Sequence, residues 1–367
     1  MAKKRPAISK PSIARARDSS LAGTGALLNE LRGLIAEARQ RVASTVNAAL
    51  VVLYWEVGHR IRTEVLKSSR ASYGDEIVPT LSAQLVIEFG DGFSARNLFR
   101  MIRFSEAFPD RRIVSILSAD LGWSHFVEIL PLGDPLQRDF YAEMSRIEHW
   151  SVRTLRAKIQ GMLFERTALS KKPAKLAEQE LAALRDEDRL SPDMVFRDPY
   201  LLDFLGLKET YSEKDLEAAI LRELEKFILE LGVGFAFVDR QKRITIDGDD
   251  YHLDLLFFHR KLRRLIAIEL KIGKFTAADK GQVELYLRWL EKHERQPGEE
   301  SPLGLILCTG KSDEHIELLR LDQSGIRVAS YLTELPPRAI LHKKLRQAVV
   351  NAKARLAADG MSAGESD

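Results

Sequence analysis

Apolar side chains follow two different periodicities along the chain and divide it into two regions. In residues 27–66 they recur at helical spacing over a long span, and residues 77–109 continue that pattern in two further segments. From about residue 200 onwards, short apolar runs of the kind found in strands alternate with amphipathic helical segments. The pattern predicts an α+β protein, with a helical domain over 26–172 and a domain with a sheet flanked by helices over 201–340.

The segment 77–109 has the outline of a helix-turn-helix. A helix through Glu88 meets a turn at Gly90–Gly92, and a second helix is expected to begin with Ser94 as its N-cap and to end before Pro109. Three arginines recur along one side of this second helix: Arg96, Arg100 and Arg103. The apolar residues between them, Leu98, Phe99 and Ile102, are predicted to face inward. The arginines could contact DNA phosphates, and a solvated helix face is the equally weighted alternative.

A further helix is predicted over 151–172, where six basic residues stand against one glutamate. Residues 176–200 are acidic and rich in turn-forming residues, so the linker between the domains is placed at 173–200. The last segment, 341–367, is predicted to be a charged helix that continues into a disordered tail.

The second region predicts one helix, three strands, a second helix and a further strand, the order αβββαβ. Ser212 is a plausible cap for its first helix, and Gly232 marks the end of that helix. The predicted elements are a helix over 212–232, strands over 234–246, 251–258 and 262–272, a helix over 276–294, a strand over 302–309, a helix near 312–321 and a strand over 326–331.

Composition narrows the class of protein. With 45% apolar and 30% charged residues in 367 positions, the chain is typical of a soluble protein with two cores. No apolar stretch approaches the roughly 18 residues that span a bilayer, and the cytoplasm is the expected compartment. The one cysteine, Cys308, excludes an internal disulfide and lies in an apolar run, which predicts a buried thiol.

Net charge is +3 and is unevenly distributed. Residues 1–25 carry six Lys or Arg against one Asp, so the remainder of the chain is slightly acidic. The first 25 residues are predicted to form a disordered basic tail. Contact with a nucleic acid must therefore come from local basic patches and not from the overall charge of the body.

Three charged residues interrupt two of the predicted apolar strands: Asp254, Glu269 and Lys271. Strand side chains alternate between faces, so Glu269 and Lys271 point the same way, and neighbouring strands can bring Asp254 beside Glu269. Two close carboxylates repel unless a cation lies between them, and oxygen ligands suit Mg²⁺ or Mn²⁺. The carbonyl of Leu270 could add a ligand, and Lys271 could orient a water that attacks phosphorus. The pattern indicates metal-assisted hydrolysis of a phosphodiester.

Further residues near these strands could contact the substrate. Gln282 and Tyr286 lie one turn apart on the following helix, where an amide could bind the attacking water or a phosphate oxygen. A half-exposed helix pair is the alternative. The basic turn with Arg260 and Lys261 is expected near the site, and Arg240 and Gln241 lie at the end of the first strand; all four could contact phosphate. For Arg240 and Gln241 an ordinary turn role is equally weighted.

Five segments of the chain resemble the YhcG-type branch of the PD-(D/E)XK nuclease superfamily. They are LYWEVGHRI (53–61), GFSARNLFRMIRF (92–104), LGWSHFVEIL (121–130), LEKFILELGVGFAFVDRQ (224–241) and YHLDLLFFHRKLRRLIAIELKIGKF (251–275). This branch joins a helical, winged-helix-like domain to a restriction-endonuclease-like α/β domain. The resemblance implies that Asp254 and Glu269 bind metal, that Lys271 is the catalytic lysine, and that Gln282 with Tyr286 matches a QxxxY element.

The superfamily often adds a glutamate from the first core helix. Glu217 shares a face with the apolar residues of that helix and is the first choice, and Glu225, at the edge of this face, is the second. Glu223 and Glu230 are predicted to be exposed. The proline of the superfamily name is absent, because Leu253 precedes Asp254.

The resemblance implies a Mg²⁺- or Mn²⁺-dependent deoxyribonuclease whose helical domain holds DNA. A second hypothesis is a DNA-binding or adaptor protein of a restriction, repair or mobile-element complex that does not cleave. In a third, the carboxylates and the lysine form only a structural ion-pair network. The residues leave open endo- or exonuclease action, DNA or RNA, and monomer or homodimer.

Overall fold

The computed structural model describes residue 42 and residues 45–64, 71–207 and 210–363. The predicted basic tail, the first part of the helix predicted over 27–66, and the last four residues lie outside this described part. The chain divides into two compact units, Met1–Leu130 and Pro131–Asp367. The predicted linker at 173–200 includes a fourteen-residue helix in the second unit; the domain boundaries stay a prediction.

The described residues of the first unit are mainly helical. Their helices are α1 (45–64), α2 (Ala71–Phe89), α3 (Ala95–Ala107), α4 (Arg111–Ser118) and α5 (Trp123–Ile129), with a short 3₁₀ turn at Asp91–Phe93. Gly90 ends α2 with a φ of 86°, a value that glycine adopts at no steric cost, and α3 starts after Ser94 as predicted. The side chain of Asp110 accepts a hydrogen bond from the Arg112 amide and caps α4.

Helices α1 and α3 pack closely against each other. A Cβ atom on Gly58 would lie 1.9 Å from the Met101 carbonyl oxygen, so only glycine allows this approach. Leu98 and Met101 are buried, but Phe99 is 41% exposed. The prediction that Phe99 faces inward is wrong, because it lies on the arginine side of α3.

In the second unit, helices of very different lengths flank a sheet. They are α6 (Pro135–Ile147), α7 (Val152–Gln160), α8 (Leu163–Arg166), α9 (Ala174–Glu187), α10 (Pro192–Val195), α11 (Glu213–Arg222), α12 (Leu224–Leu231), α13 (Ala277–His293), α14 (Asp313–Leu318) and α15 (Arg338–Ala363). The helix predicted over 151–172 is interrupted at Gly161, after which Met162 adopts a φ of 52°. The helix predicted over 212–232 is divided at Glu223 into α11 and α12.

The sheet has six strands in the order β1-β6-β5-β4-β3-β2. They are β1 (Tyr200–Leu201), β2 (Phe235–Ile246), β3 (Asp249–His259), β4 (Arg264–Lys274), β5 (Leu303–Gly310) and β6 (Ile326–Leu332). Strands β2, β3 and β4 pair antiparallel, and β4, β5, β6 and β1 pair parallel. The mixed sheet with flanking helices confirms the predicted α+β class and the core order αβββαβ.

One face of the sheet forms a core with α13. Leu265 and Ala267 of β4 share a buried cluster with Val283 and Leu287 of that helix. Because side chains alternate along a strand, Glu269 continues the same side of β4 towards its end. Cys308 of β5 is buried, as predicted. None of the described helices has the length and apolar character needed to cross a bilayer.

Candidate active site

The strand register brings the two predicted acids to one position of the sheet. The antiparallel ladder pairs Leu255 of β3 with Ile268 of β4, so Asp254 and Glu269 occupy the next opposed position. The Leu270 amide donates a hydrogen bond to Asp254 Oδ2 at 2.8 Å and fixes that carboxylate against β4. The two carboxylates therefore lie on adjacent strands as the spacing predicted.

Lys271 lies on the same side of β4 as Glu269. Its Nζ is 3.2 Å from Glu269 Oε1, and the two side chains are 21% and 4% exposed. A two-residue separation along a strand produces this contact because alternate side chains share a face. The Lys271 amine therefore contacts a carboxylate that is almost completely buried.

Helix α13 supplies the amide and the phenol. It begins with a capping box between Thr276 and Asp279, which fixes the first turn of the helix against β4. Gln282 Nε2 is 3.3 Å from Glu269 Oε1 and donates to the Tyr286 hydroxyl at 2.6 Å. Tyr286 is fully buried. Gln282 therefore contacts Glu269 directly and Tyr286 contacts Gln282; Gln282 is half-buried and Tyr286 is buried.

Helix α11 contributes a third carboxylate. Its capping box, formed by Ser212 and Asp215, places Glu217 one turn further along the helix. Gln241 of β2 donates from one amide nitrogen to Glu217 Oε2 at 2.8 Å and to Asp254 Oδ1 at 3.0 Å. Glu225, the second choice, is exposed on α12. The geometry favours Glu217 as the helix glutamate of an acid cluster that comprises Asp254, Glu269 and Glu217.

Burial acts on all three carboxyl groups, and the charge of Asp254 acts on the other two. Burial, followed by the charge of Asp254, raises the pKa of Glu269 to about 7. Burial also raises the pKa of Asp254, and burial together with Asp254 raises that of Glu217. Burial lowers the pKa of Lys271, but the carboxylates of Glu269, Glu213 and Asp279 together raise it more, so the amine stays charged. The three carboxylates therefore carry more negative charge than Lys271 can neutralise.

This donor set fits a divalent cation. Glu269 Oε2 is buried and has no hydrogen-bond partner among the described residues, which leaves a carboxylate oxygen free for a ligand. Throughout the described ranges, no three His, Cys, Asp or Glu side chains converge closely enough to hold a metal ion by themselves. The residues that could hold one are therefore the pair Asp254 and Glu269, with the Leu270 carbonyl as a backbone donor and Glu217 further out.

The raised pKa of Glu269 predicts a pH dependence of stability in EDTA. The folded pKa, about 7, lies above the ordinary value of 4.5. Its contribution to the free energy of unfolding is therefore fully present below pH 4.5 and is lost as pH rises through 7. We expect a loss on the order of 3 kcal/mol across this window. Denaturant titrations at several pH values measure the free energy of unfolding. Between pH 4.5 and 7 the wild type should lose this amount relative to Glu269→Gln, and parallel pH curves for the two proteins would contradict the prediction.

The basic turn between β3 and β4 does not lie beside the carboxylates, contrary to our expectation. His259 is five positions after Asp254, which puts the turn about 16 Å along the strands from the acids. Lys261 in this turn donates to the Ile147 carbonyl at the end of α6. Arg260 is exposed. Arg240, by contrast, is close enough to Glu217 for its charge to lower the pKa of that carboxyl.

One residue near Lys271 was not identified from the sequence. Glu213, at the first position of α11, accepts a hydrogen bond from the Ile272 amide at 2.9 Å, and its charge favours the protonated form of Lys271. Acids in the first turn of a helix are common because they offset the helix dipole, so the sequence gives no signal of this second role.

The arginine side of α3 belongs to the first unit and is described by itself. Arg96 and Arg103 are exposed and Arg100 is half-buried. None of the three forms an ion pair with a described residue, whereas four other arginines of this unit are paired: Arg60 with Glu64, Arg62 with Glu106, Arg111 with Glu56 and Arg112 with Asp110.

Comparison with known proteins decides the family. Residues 193–348 match the family described as the YhcG PDDEXK nuclease domain, and residues 30–166 match the DUF1016 N-terminal domain. The chain is 36% identical over 344 residues to "Putative nuclease YhcG" of Escherichia coli (strain K12), covering 85% of this chain and 91% of that protein. This chain belongs to the YhcG family. The nuclease domain of this YhcG-family protein includes all the residues of the acid cluster.

Solved structures give a more distant comparison. A repair endonuclease from Pyrococcus abyssi is similar over 35% of this YhcG-family chain and 50% of its own, with 22% identity and a TM-score of 0.25. EndoMS in its apo form is similar over 35% and 49% of the two chains, with 18% identity and a TM-score of 0.24.

Proposed function

We propose that this nuclease hydrolyses phosphodiester bonds of DNA with the help of Mg²⁺ or Mn²⁺. Asp254 and Glu269 would hold the ion, with the Leu270 carbonyl and Glu217 as additional donors. The observation that carries the proposal is the nearly buried Glu269, with one oxygen bound to Lys271 and the other without a partner among the described residues. A buried carboxylate in this state is costly unless a cation completes it.

The side chains of the cluster divide the chemistry among them. A bound divalent ion would neutralise the carboxylates and polarise the scissile phosphate. Lys271 would orient the attacking water and offset negative charge as the water adds to phosphorus and the bond to the leaving oxygen breaks. Gln282 can hold the water or a phosphate oxygen, since its amide already lies 3.3 Å from Glu269 Oε1. Tyr286, bonded to Gln282, restricts the orientation of that amide.

The first unit would hold the DNA. Arg96, Arg100 and Arg103 share one side of α3 and have no ion-pair partner among the described residues, which leaves their charge available to phosphates. An exposed aromatic side chain, Phe99, lies on the same side. The helix-turn-helix role of α2 and α3 stays a prediction.

The proposal is tested by cleavage assays on several forms of DNA. Supercoiled, linear, single-stranded and branched DNA, with RNA as a further substrate, are incubated with Mg²⁺, Mn²⁺ or EDTA. We expect metal-dependent cleavage of at least one DNA form and none in EDTA. Binding of DNA without cleavage in either metal would favour the second hypothesis, a non-cleaving DNA-binding or adaptor protein.

A triple variant tests the DNA-binding side of α3. Replacing Arg96, Arg100 and Arg103 by alanine should weaken DNA binding and reduce the slope of log K against log salt by about two to three, since each phosphate contact contributes about 0.9. Fluorescence anisotropy at several salt concentrations measures both. The matched control replaces the ion-paired Arg60, Arg62 and Arg111, which removes the same charge from the same unit. Equal slopes for the two triple variants would contradict the role of α3.

A further inference from the structure

Gln241 occupies an unusual position in the edge strand β2. The residues on either side of it pair normally with β3, Arg240 with Leu255 and Lys242 with Leu253, so Gln241 lies opposite Asp254. Its φ is 47°, in the left-handed region that side chains other than glycine rarely adopt. Strained backbone of this kind persists where the surrounding structure fixes it, and it is concentrated at functional sites.

The side chain of Gln241 connects two elements of the acid cluster. Its Nε2 atom donates to Glu217 Oε2 of α11 at 2.8 Å and to Asp254 Oδ1 of β3 at 3.0 Å. Ionised carboxylates only accept hydrogen bonds, so the amide nitrogen must be the atom between them. Two N–H groups of one amide thus separate and hold two carboxylates that would otherwise repel each other.

We propose that Gln241 is a positioning residue that sets the distance between Glu217 and Asp254 and so makes the helix glutamate available to the metal. This inference rests on the proposed function. Asp254 is fixed independently by a hydrogen bond from the Leu270 amide. Glu217, by contrast, is joined to the strands by the hydrogen bond from the Gln241 side chain. Loss of the amide therefore releases Glu217 and leaves Asp254 in place. Such supporting residues typically change metal affinity ten- to a hundredfold when removed.

Gln241→Gly separates positioning from a structural role. Glycine adopts a φ of 47° without strain, so this variant should keep the melting temperature in EDTA or raise it. It should bind Mn²⁺ at least about tenfold more weakly by calorimetry, with a smaller rise in melting temperature on Mn²⁺ addition. Asp247→Gly is the matched control, because Asp247 has a φ of 53° at the β2–β3 turn, outside the acid cluster. It should bind Mn²⁺ like the wild type.

A double-mutant cycle identifies the partner through which Gln241 acts. Glu217→Gln alone should weaken Mn²⁺ binding, and adding Gln241→Gly to it should cause little further loss, since both changes remove the same contribution. Independent, additive losses would overturn the proposal, as would Gln241→Gly binding Mn²⁺ within about twofold of the wild type.

Asp254→Asn distinguishes failure of this inference from failure of the proposed function. If Asp254→Asn loses Mn²⁺ binding and Gln241→Gly keeps it, Gln241 is not a positioning residue and the metal site stands. If the wild type itself binds no Mn²⁺, both this inference and the proposed metal site are wrong.

Discussion

Replacing Lys271 by alanine should lower the rate of DNA cleavage by about a hundred- to ten-thousandfold while the protein stays folded. The ammonium group lies 3.2 Å from Glu269 Oε1, where it can orient water and offset charge at phosphorus. Removal of one group that acts only in the transition state costs on the order of 10² to 10⁴ in rate. Steady-state cleavage with Mn²⁺, beside circular dichroism and thermal melting, measures both parts of the expectation.

The matched control for this change is Lys274→Ala. Lys274 is on the same strand, three positions on, and is exposed at its end, so its loss removes the same charge. We expect its cleavage rate to stay within a few-fold of the wild type. Asp254→Ala should resemble Lys271→Ala in rate and should also lose Mn²⁺ binding. Metal-dependent cleavage at wild-type rates by either of these two variants would place the active site elsewhere.

The central strands and the acid cluster could be predicted from the sequence because local pattern and alternation determine them. Apolar runs around Asp254 and Glu269 marked two strands, and the two-residue period put Lys271 beside Glu269. Helical spacing likewise put Gln282 and Tyr286 on one face. These inferences need only the geometry of one element or of two strands that follow each other along the chain.

Features that depend on distant parts of the chain could not be predicted in this way. Phe99 has the spacing of a core residue, but the packing of α3 leaves it exposed. The basic turn follows Asp254 closely in sequence, yet the length of the hairpin carries it away from the acids. The sequence indicated Gln241 only as a residue that could contact phosphate, because its role between two carboxylates comes from a strained backbone and from Glu217 on a separate helix.

Glu230 shows the same limitation most clearly. It was predicted to be exposed because it lies on the polar side of α12, and this prediction is wrong. Its side chain is 14% exposed and lies between two arginines, Arg166 and Arg197, each 4% exposed. It also accepts a hydrogen bond from the Leu201 amide at 2.9 Å. Both arginines come from segments distant in sequence, so no pattern within α12 could indicate this cluster.

Replacing Glu230 by glutamine should lower the free energy of unfolding by about 3 to 5 kcal/mol, because it leaves two buried guanidinium groups without their shared counter-charge. Glutamine has nearly the same shape as glutamate and can still accept the hydrogen bond from the Leu201 amide. The loss of stability would therefore come from the missing charge and not from a cavity. Urea denaturation measures this free energy.

The matched control is Glu223→Gln, whose carboxylate is paired with the exposed Lys226 at 2.7 Å and whose loss should leave stability unchanged. Equal stability of the two variants would show that Glu230 does not neutralise the arginines. The described partners of Glu230 are all outside the acid cluster, so Mn²⁺ affinity of folded Glu230→Gln should match the wild type.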